Sequence, residues 1–210
     1  NVLPGILNEQ NSLKASTATD RQPILFNHIY TAPPDKHLVL TDGIIRVTNG
    51  PKENRFRPAV DPLFRSAALA YGSRVIGIIL SGGLDDGTAG LWTIKQYGGT
   101  AVVQHPNDAE VASMPLSALR NGEVDYMVPM AAMSGLLGRL VAEDAQEMQE
   151  PMPAHERTRK EVGIALQDQL QTHIEGFDGW TPITCPDCNG VLSAIHEGDP
   201  SEHAGVRRRS

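Results

Sequence analysis

One stretch, Val75–Gln104, limits the folds open to this chain more than any other: VIGIILSGGLDDGTAGLWTIKQYGGTAVVQ. Val75–Leu80 is an unbroken apolar run, as expected of a strand covered on both faces. Ser81-Gly82-Gly83 breaks the run. Gly87–Tyr97 then reads as a helix, with Leu91, Ile94 and Lys95 spaced to share a face, and Gly98-Gly99 ends it. Thr100–Gln104 is a second apolar strand. Strand, loop, helix and strand make a βαβ unit with a right-handed crossover and a parallel sheet. In such sheets chemistry gathers at the carboxyl ends of the strands. That puts Ser81–Asp86, and the segment after Gln104, on the working rim.

The flanking sequence extends this unit. Val2, Leu3, Ile6 and Leu7 form an apolar stripe read as the end of a helix, and Asn11–Pro23 reads as a polar loop. Leu25–Thr31 reads as a strand. His37–Leu40 and Ile44–Val47 read as a hairpin around Asp42-Gly43, a strong turn signal between apolar runs. Lys52–Arg57 is a charged loop. Asp61-Pro62 opens the next helix, with Asp as N-cap and Pro at the first helical position; Leu63, Phe64, Ala67, Ala68 and Tyr71 make its core stripe, and Gly72 ends it. After Gln104, a loop runs to Met114, Pro115 starts a short helix, Val124–Val128 is a third parallel strand, and Pro129 leads into a helix reaching about Val141. The fold expected for residues 1–142 is therefore α/β, a doubly wound and mainly parallel sheet with a small β-hairpin.

Composition changes from Glu143. Residues 143–180 read as a helical linker, polar and acidic at first, broken by Pro151-Met152-Pro153 and then helical from His155 to Leu170. Residues 181–210 form a short tail holding Cys185-Pro-Asp-Cys188-Asn-Gly190, half of a zinc knuckle, since CxxC before a glycine turn can place two thiolates on one tetrahedral metal. Zinc through Cys185 and Cys188 is thus an expectation for the tail only; His196 and His203 are the downstream partners on offer, at an unusual spacing. No cofactor is expected for catalysis. Two cysteines this close cannot staple a domain, which suits a reducing, cytoplasmic setting. The formal net charge of -7 argues against nucleic acid as a partner. No run approaches the roughly 20 apolar residues of a membrane span. The opening NVLPGILNEQ lacks Met and looks like the interior of a helix, so the sheet is expected to be incomplete at its N-terminal strands.

At the rim, Asp85 and Asp86 sit between Gly82-Gly83 and the helix. Each can accept backbone N–H groups as a helix cap, or face the cleft and orient a histidine, fixing its tautomer and stabilising its charged form. One can do each. SGGLD after an apolar strand is similar to the pyrophosphate loop of N-type ATP pyrophosphatases, where glycine backbone and a helix N-terminus cradle an anion. A second carboxylate at Asp86 is unfavourable beside a phosphate.

A wider resemblance covers residues 1–142. IYTAPPDKHLVL (Ile29–Leu40), RPAVDPLFRSAA (Arg57–Ala68), LSGGLDDGTAGL (Leu80–Leu91), VVQHPNDAEVASMPLSAL (Val102–Leu119) and VDYMVP (Val124–Pro129) occur in the order found in CheB-type protein-glutamate methylesterases. The resemblance implies hydrolysis of methyl-glutamate esters on chemoreceptors by a Ser–His–Asp triad, with a regulatory receiver or a methyltransferase domain as further partners. It places the triad carboxylate at Asp86, and at Gly83 the residue whose backbone N–H helps hold the oxyanion. Met114 falls near the substrate cleft, or simply fills a gap before the helix. The family's serine turn and valine-glutamine-histidine motif have no counterpart at the expected places. Ser12 and Ser16 lack the glycine context, His28 lies in a strand and His37 in the hairpin. Val103-Gln104-His105 copies the histidine motif but follows Asp86, the wrong chain order. The leading reading is a methylesterase-like hydrolase of which only the Asp is present here. A non-catalytic interaction module of a larger signalling protein is the alternative, and a nucleotide-binding loop the third.

Overall fold

The computed structural model of the chain describes residues 2–10, 12–145, 154–166, 180–184 and 191–193. The elements run α1 (Leu3–Gln10), β1 (Lys14–Thr17), β2 (Gln22–Pro23), β3 (His28–Thr31), β4 (His37–Thr41), β5 (Ile44–Thr48), α2 (Val60–Tyr71), β6 (Ile76–Ile79), α3 (Thr88–Gln96), β7 (Thr100–Gln104), α4 (Ser113–Asn121), β8 (Tyr126–Val128), α5 (Met130–Ala142), α6 (Ala154–Leu166), β9 (Trp180–Thr184) and β10 (Val191–Ser193).

The parallel sheet has the order β6-β7-β8, in register Ile78↔Val102 and Val103↔Met127. Successive side chains of a strand point to opposite faces. In β7, Ala101 and Val103 accordingly pack with Leu91 and Ile94 of α3 and Ala118 of α4, while Val102 packs with Met133 and Leu136 of α5. Helices thus cover both faces, the doubly wound arrangement expected. The double burial expected of Val75–Leu80 is found in β7 instead. Gly77 and Ile79 of β6 are buried, but Ile76 and Ile78 are only half-buried, at the edge of this sheet beside the α5 cluster.

The hairpin forms as read, with Gly43 at φ 70°, and β2 adds to it in the antiparallel order β2-β5-β4. Residues 11–23, expected to be a loop, contain β1 and β2. Lys14-Ala-Ser-Thr carries a single apolar side chain, buried Ala15, so the hydrophobic signal of a strand is missing although β1 pairs in parallel with β3. β3 begins at His28 rather than Leu25, and Phe26 is fully exposed in the preceding turn. Helix α1 forms, but Val2, Leu3 and Ile6 of its apolar stripe are exposed.

Helix α2 starts two residues earlier than expected: its N-cap is Ala59, and Asp61 and Pro62 lie inside its first turn. It ends at Gly72, φ 55°. Helix α6, in the stretch read as linker, lies against this part of the fold. Thr158, Val162 and Ala165, at i, i+4 and i+7, are its buried residues, and Val162 and Ala165 pack on Val39 and Leu69. The Thr48 hydroxyl donates to the Ala165 carbonyl at 2.6 Å, and Glu161 pairs with buried Arg65 at 3.4 Å. A threonine at the first of these positions is why the face is not legible as an apolar stripe.

Strands β9 and β10 pair antiparallel, Val191 opposite Thr184. Cys185 and Cys188, the zinc expectation, lie between them and outside the described residues, as do His196 and His203. Among the described residues no helix is long and apolar enough to cross a membrane.

Candidate active site

The chain leaves β6 at the carboxyl edge of the sheet and turns through Ser81–Gly87 into α3. Gly87 has φ 87°, and a Cβ there would meet Val60 and Ile79. Gly87 is also the N-cap of α3, with no side-chain cap. The capping reading of Asp86 is therefore half right: it caps a helix, but not the one it precedes. Its carboxylate, 8% exposed, reaches the start of α2. Oδ2 accepts Val60 N–H at 2.8 Å, and Oδ1 accepts Asp61 N–H at 3.3 Å. Asp61 returns the favour across the same contact, its Oδ1 accepting Gly90 N–H of α3 at 2.6 Å. The two helices thus exchange caps, each N-terminus stabilised by a carboxylate from the other's start.

Asn54, in the charged loop, joins the carboxylates. Its Nδ2 donates to Asp86 Oδ1 at 3.0 Å and to Asp61 Oδ2 at 2.9 Å. Its backbone has φ 50°, a state Asn tolerates better than most residues. Burial, more than any other cause, pushes the Asp61 carboxyl above its ordinary range, and the negative charge of Asp86 adds to this; Arg65, the Gly90 N–H and Asn54 oppose it. Arg65 in turn pairs with Glu53 and Glu161.

His37 completes the α2 N-terminus. It is fully buried, its Nδ1 accepts Ala59 N–H at 3.2 Å and its Nε2 donates to the Pro51 carbonyl at 2.9 Å, which requires a neutral ring. Burial holds its pKa below the usual histidine value. A ring with both nitrogens engaged by backbone is a fixed structural group, in keeping with its hairpin position.

The rest of the rim is zipped to the segment after β7. Ser81 N–H donates to Gln104 Oε1 at 2.8 Å, Ser81 Oγ accepts Val111 N–H at 2.9 Å, Gly82 N–H donates to the Val111 carbonyl at 2.9 Å, and Met114 N–H donates to the Gly82 carbonyl at 3.0 Å. A Cβ on Gly82 would lie 2.2 Å from Met114 Sδ. Met114 therefore packs under Gly82 and against the α3–α4 core. Gly83, one residue on, is exposed, and a Cβ there would have nothing within 4 Å. A larger residue fits at this position.

The His105 ring makes a local contact, its Nδ1 accepting Asn107 N–H at 3.1 Å, while its backbone N–H donates to the Val128 carbonyl at 2.8 Å. Ser16 Oγ and His28 Nε2 lie 2.9 Å apart on β1 and β3, with His28 stacked on Tyr30, in a sheet separate from the one that carries Asp86. Sequence reasoning missed Asn54, and read Asp61 only as the cap of its own helix. The available signal was slight: an Asn in a charged loop, ahead of a motif already singled out.

The site can hold a carboxylate rigidly, at a strand end, with acceptor capacity remaining on Oδ2. The chain as a whole is similar to known proteins. A family model described as CheB methylesterase matches residues 1–137. A Leptospira interrogans protein assigned as protein-glutamate methylesterase/protein-glutamine glutaminase is 38% identical over 136 residues, covering 64% of this chain and 70% of that one. A protein-glutamate methylesterase/protein-glutamine glutaminase of Hydrogenovibrio crunogenus is 34% identical over 131 residues, but the match spans only 35% of its length. The solved CheB methylesterase catalytic domain of Thermotoga maritima superposes with a TM-score of 0.63 at 33% identity, covering 66% of this chain and 76% of that one.

Proposed function

The chain belongs to the CheB methylesterase family of hydrolases, and we propose that it serves ester hydrolysis on methylated chemoreceptors by supplying the orienting carboxylate of a Ser–His–Asp site. The observation that carries this reading is Asp86: buried in the loop that follows β6 and held by Val60 and Asp61 N–H groups, at the position where the motif resemblance would put the triad carboxylate. A carboxylate has about four acceptor positions. The second one on Oδ2 suits an imidazole N–H, which would set the ring's tautomer and balance its charge when it takes the nucleophile's proton. The backbone N–H of exposed Gly83 is the donor this reading assigns to a developing oxyanion. The reading calls for a serine and a histidine that the family motifs do not identify within these 210 residues. Methyl-glutamyl side chains of chemoreceptors are the substrate, in the cytoplasm; the relatives' names extend this to glutamine amides.

The nucleotide-loop reading is the weaker one. The α3 and α2 N-termini that would cradle a phosphate already hold Asp61 and Asp86.

The experiment is methanol release from methylated receptor fragments, comparing these 210 residues with the longer reading frame that includes a family serine turn and histidine motif. The longer protein turns over, and Asp86→Asn lowers its kcat by about 10⁴. Turnover by the longer protein that ignores Asp86→Asn refutes the assignment.

A further inference from the structure

We infer that Asn54 is the positioning residue that decides which oxygen of Asp86 is offered to the reacting histidine; the inference rests on the reading of Asp86 as the orienting carboxylate. Oδ1 takes two hydrogen bonds, from Asn54 Nδ2 at 3.0 Å and Asp61 N–H at 3.3 Å. Oδ2 takes one among the described residues, from Val60 N–H at 2.8 Å. The Asn54 bond therefore saturates Oδ1 and leaves the remaining acceptor direction on Oδ2.

The second hydrogen of the same NH₂ goes to Asp61 Oδ2 at 2.9 Å. One neutral group thus sits between two buried carboxylates, Asp61 at 4% and Asp86 at 8% exposure, and donates to both. Asp61 is itself tied to α3 through Gly90 N–H at 2.6 Å. Asn54 consequently references Asp86 to the frame of both helices rather than to its own loop. The surrounding charges leave this role open. From α2, Arg65 acts on Asp61, but its guanidinium is engaged by Glu53 of the loop and Glu161 of α6. From β4, His37 is neutral and occupied by Pro51 and Ala59, with Arg57 acting on it from the loop. A donor with two hydrogens and no charge is what the position requires. Asp would add a third carboxylate, and Ala would lose both bonds.

The test uses the 210-residue chain and needs no ester hydrolysis. Asn54→Gly keeps the positive φ and removes the side chain; Asn54→Asp keeps the shape and the tolerance of that backbone state but removes the donors. Carboxyl-carbon NMR follows the titration of Asp61, and amide exchange follows Val60 and Asp61, whose N–H groups report on Asp86. In Asn54→Gly the Asp61 midpoint rises by about one pH unit, and exchange at Val60 and Asp61 accelerates about tenfold, the worth of one charge-assisted hydrogen bond. Amides of Ile79 and Val103 in the sheet are unchanged. Asn54→Asp raises the midpoint further. An unmoved Asp61 midpoint overturns the inference, as does faster exchange at Val60 and Asp61 that is matched at Ile79 and Val103, which is general loosening. If Asn54→Asp fails to fold, Asn54→Gly decides. Failure of the esterase reading would instead appear as turnover indifferent to Asp86→Asn, with these titrations intact.

Discussion

Replacing Asp86 by Asn probes the exchanged caps most sharply, because it changes one oxygen to NH₂ and leaves the shape. Three donors converge on the carboxylate: Val60 N–H on Oδ2, and Asp61 N–H with Asn54 Nδ2 on Oδ1. An amide has one acceptor oxygen. Turned toward Asp61 and Asn54, it keeps two bonds and points its NH₂ at the Val60 N–H. Turned the other way, it keeps one bond and loses two. The first orientation is cheaper, so the loss is one buried donor facing a donor, about 1–3 kcal/mol. Removing the negative charge from the α2 N-terminus adds about 0.5–1 kcal/mol. Relief of the repulsion between Asp86 and Asp61 opposes these, and a relief of one pKa unit at Asp61 would return about 1.4 kcal/mol. The balance is a destabilisation of about 1–2 kcal/mol. With a urea dependence of about 1–3 kcal/mol per molar for a domain of this size, the unfolding midpoint at neutral pH falls by about 0.3–2 M, read by circular dichroism. The Asp61 titration supplies a second readout with a definite sign. Asp86 is among the causes that raise it, after burial, so Asp86→Asn lowers the midpoint. A urea midpoint unchanged or raised by Asp86→Asn, or an Asp61 midpoint that moves up, refutes the reasoning.

Two further outcomes follow from groups around the site. His37 is held below the usual histidine pKa, chiefly by burial, so below about pH 6.5 the unfolded chain binds a proton that the folded chain does not. Its contribution to stability is complete above that pH and is lost as pH falls toward the lowered folded value, by up to about 1.4 kcal/mol per pH unit. Urea midpoints measured from pH 7.5 to 5 for wild type minus His37→Gln isolate this slope, and a difference that is flat across the range contradicts it. At Gly50, a Cβ would lie 2.7 Å from the Ala165 carbonyl oxygen, which is backbone and cannot swing aside. Gly50→Ala therefore lifts α6 off Val39 and Leu69 at a cost of about 1–3 kcal/mol, with amide exchange rising across α6 while Val102 and Val103 of β7 stay protected; exchange at α6 equal to wild type contradicts it.

What the sequence made legible, and what it did not, divides by distance along the chain. The βαβ unit is written in contiguous apolar runs, and its second strand came out with the expected bounds, Thr100–Gln104. The hairpin is written in Asp42-Gly43 and its flanks. The motif that singles out Asp86 is likewise local, a short run after a strand end. Everything that holds Asp86 is not. Asn54 reaches it across 32 residues, Val60 across 26 and Asp61 across 25. No propensity or periodicity encodes such a reach. The misplaced start of α2 shows the cost: Asp-Pro looks like a cap and a first turn because, within one helix, that is the cheapest way to satisfy its N–H groups. Here α3 lies close enough for each helix to use the other's carboxylate, and α2 can start at Val60 with Asp61 turned outward to Gly90. The same exchange explains how a rim acid is buried with no ion pair to it among the described residues. Asp86 is held by two backbone N–H groups and one amide, and such a holder fixes direction. That is what an orienting carboxylate needs. On the proposed reading, loss of activity in an Asp86 variant would have two sources, the missing partner of the histidine and the loosened α2–α3 contact. The urea midpoint and the turnover number, measured on the same variant, separate them.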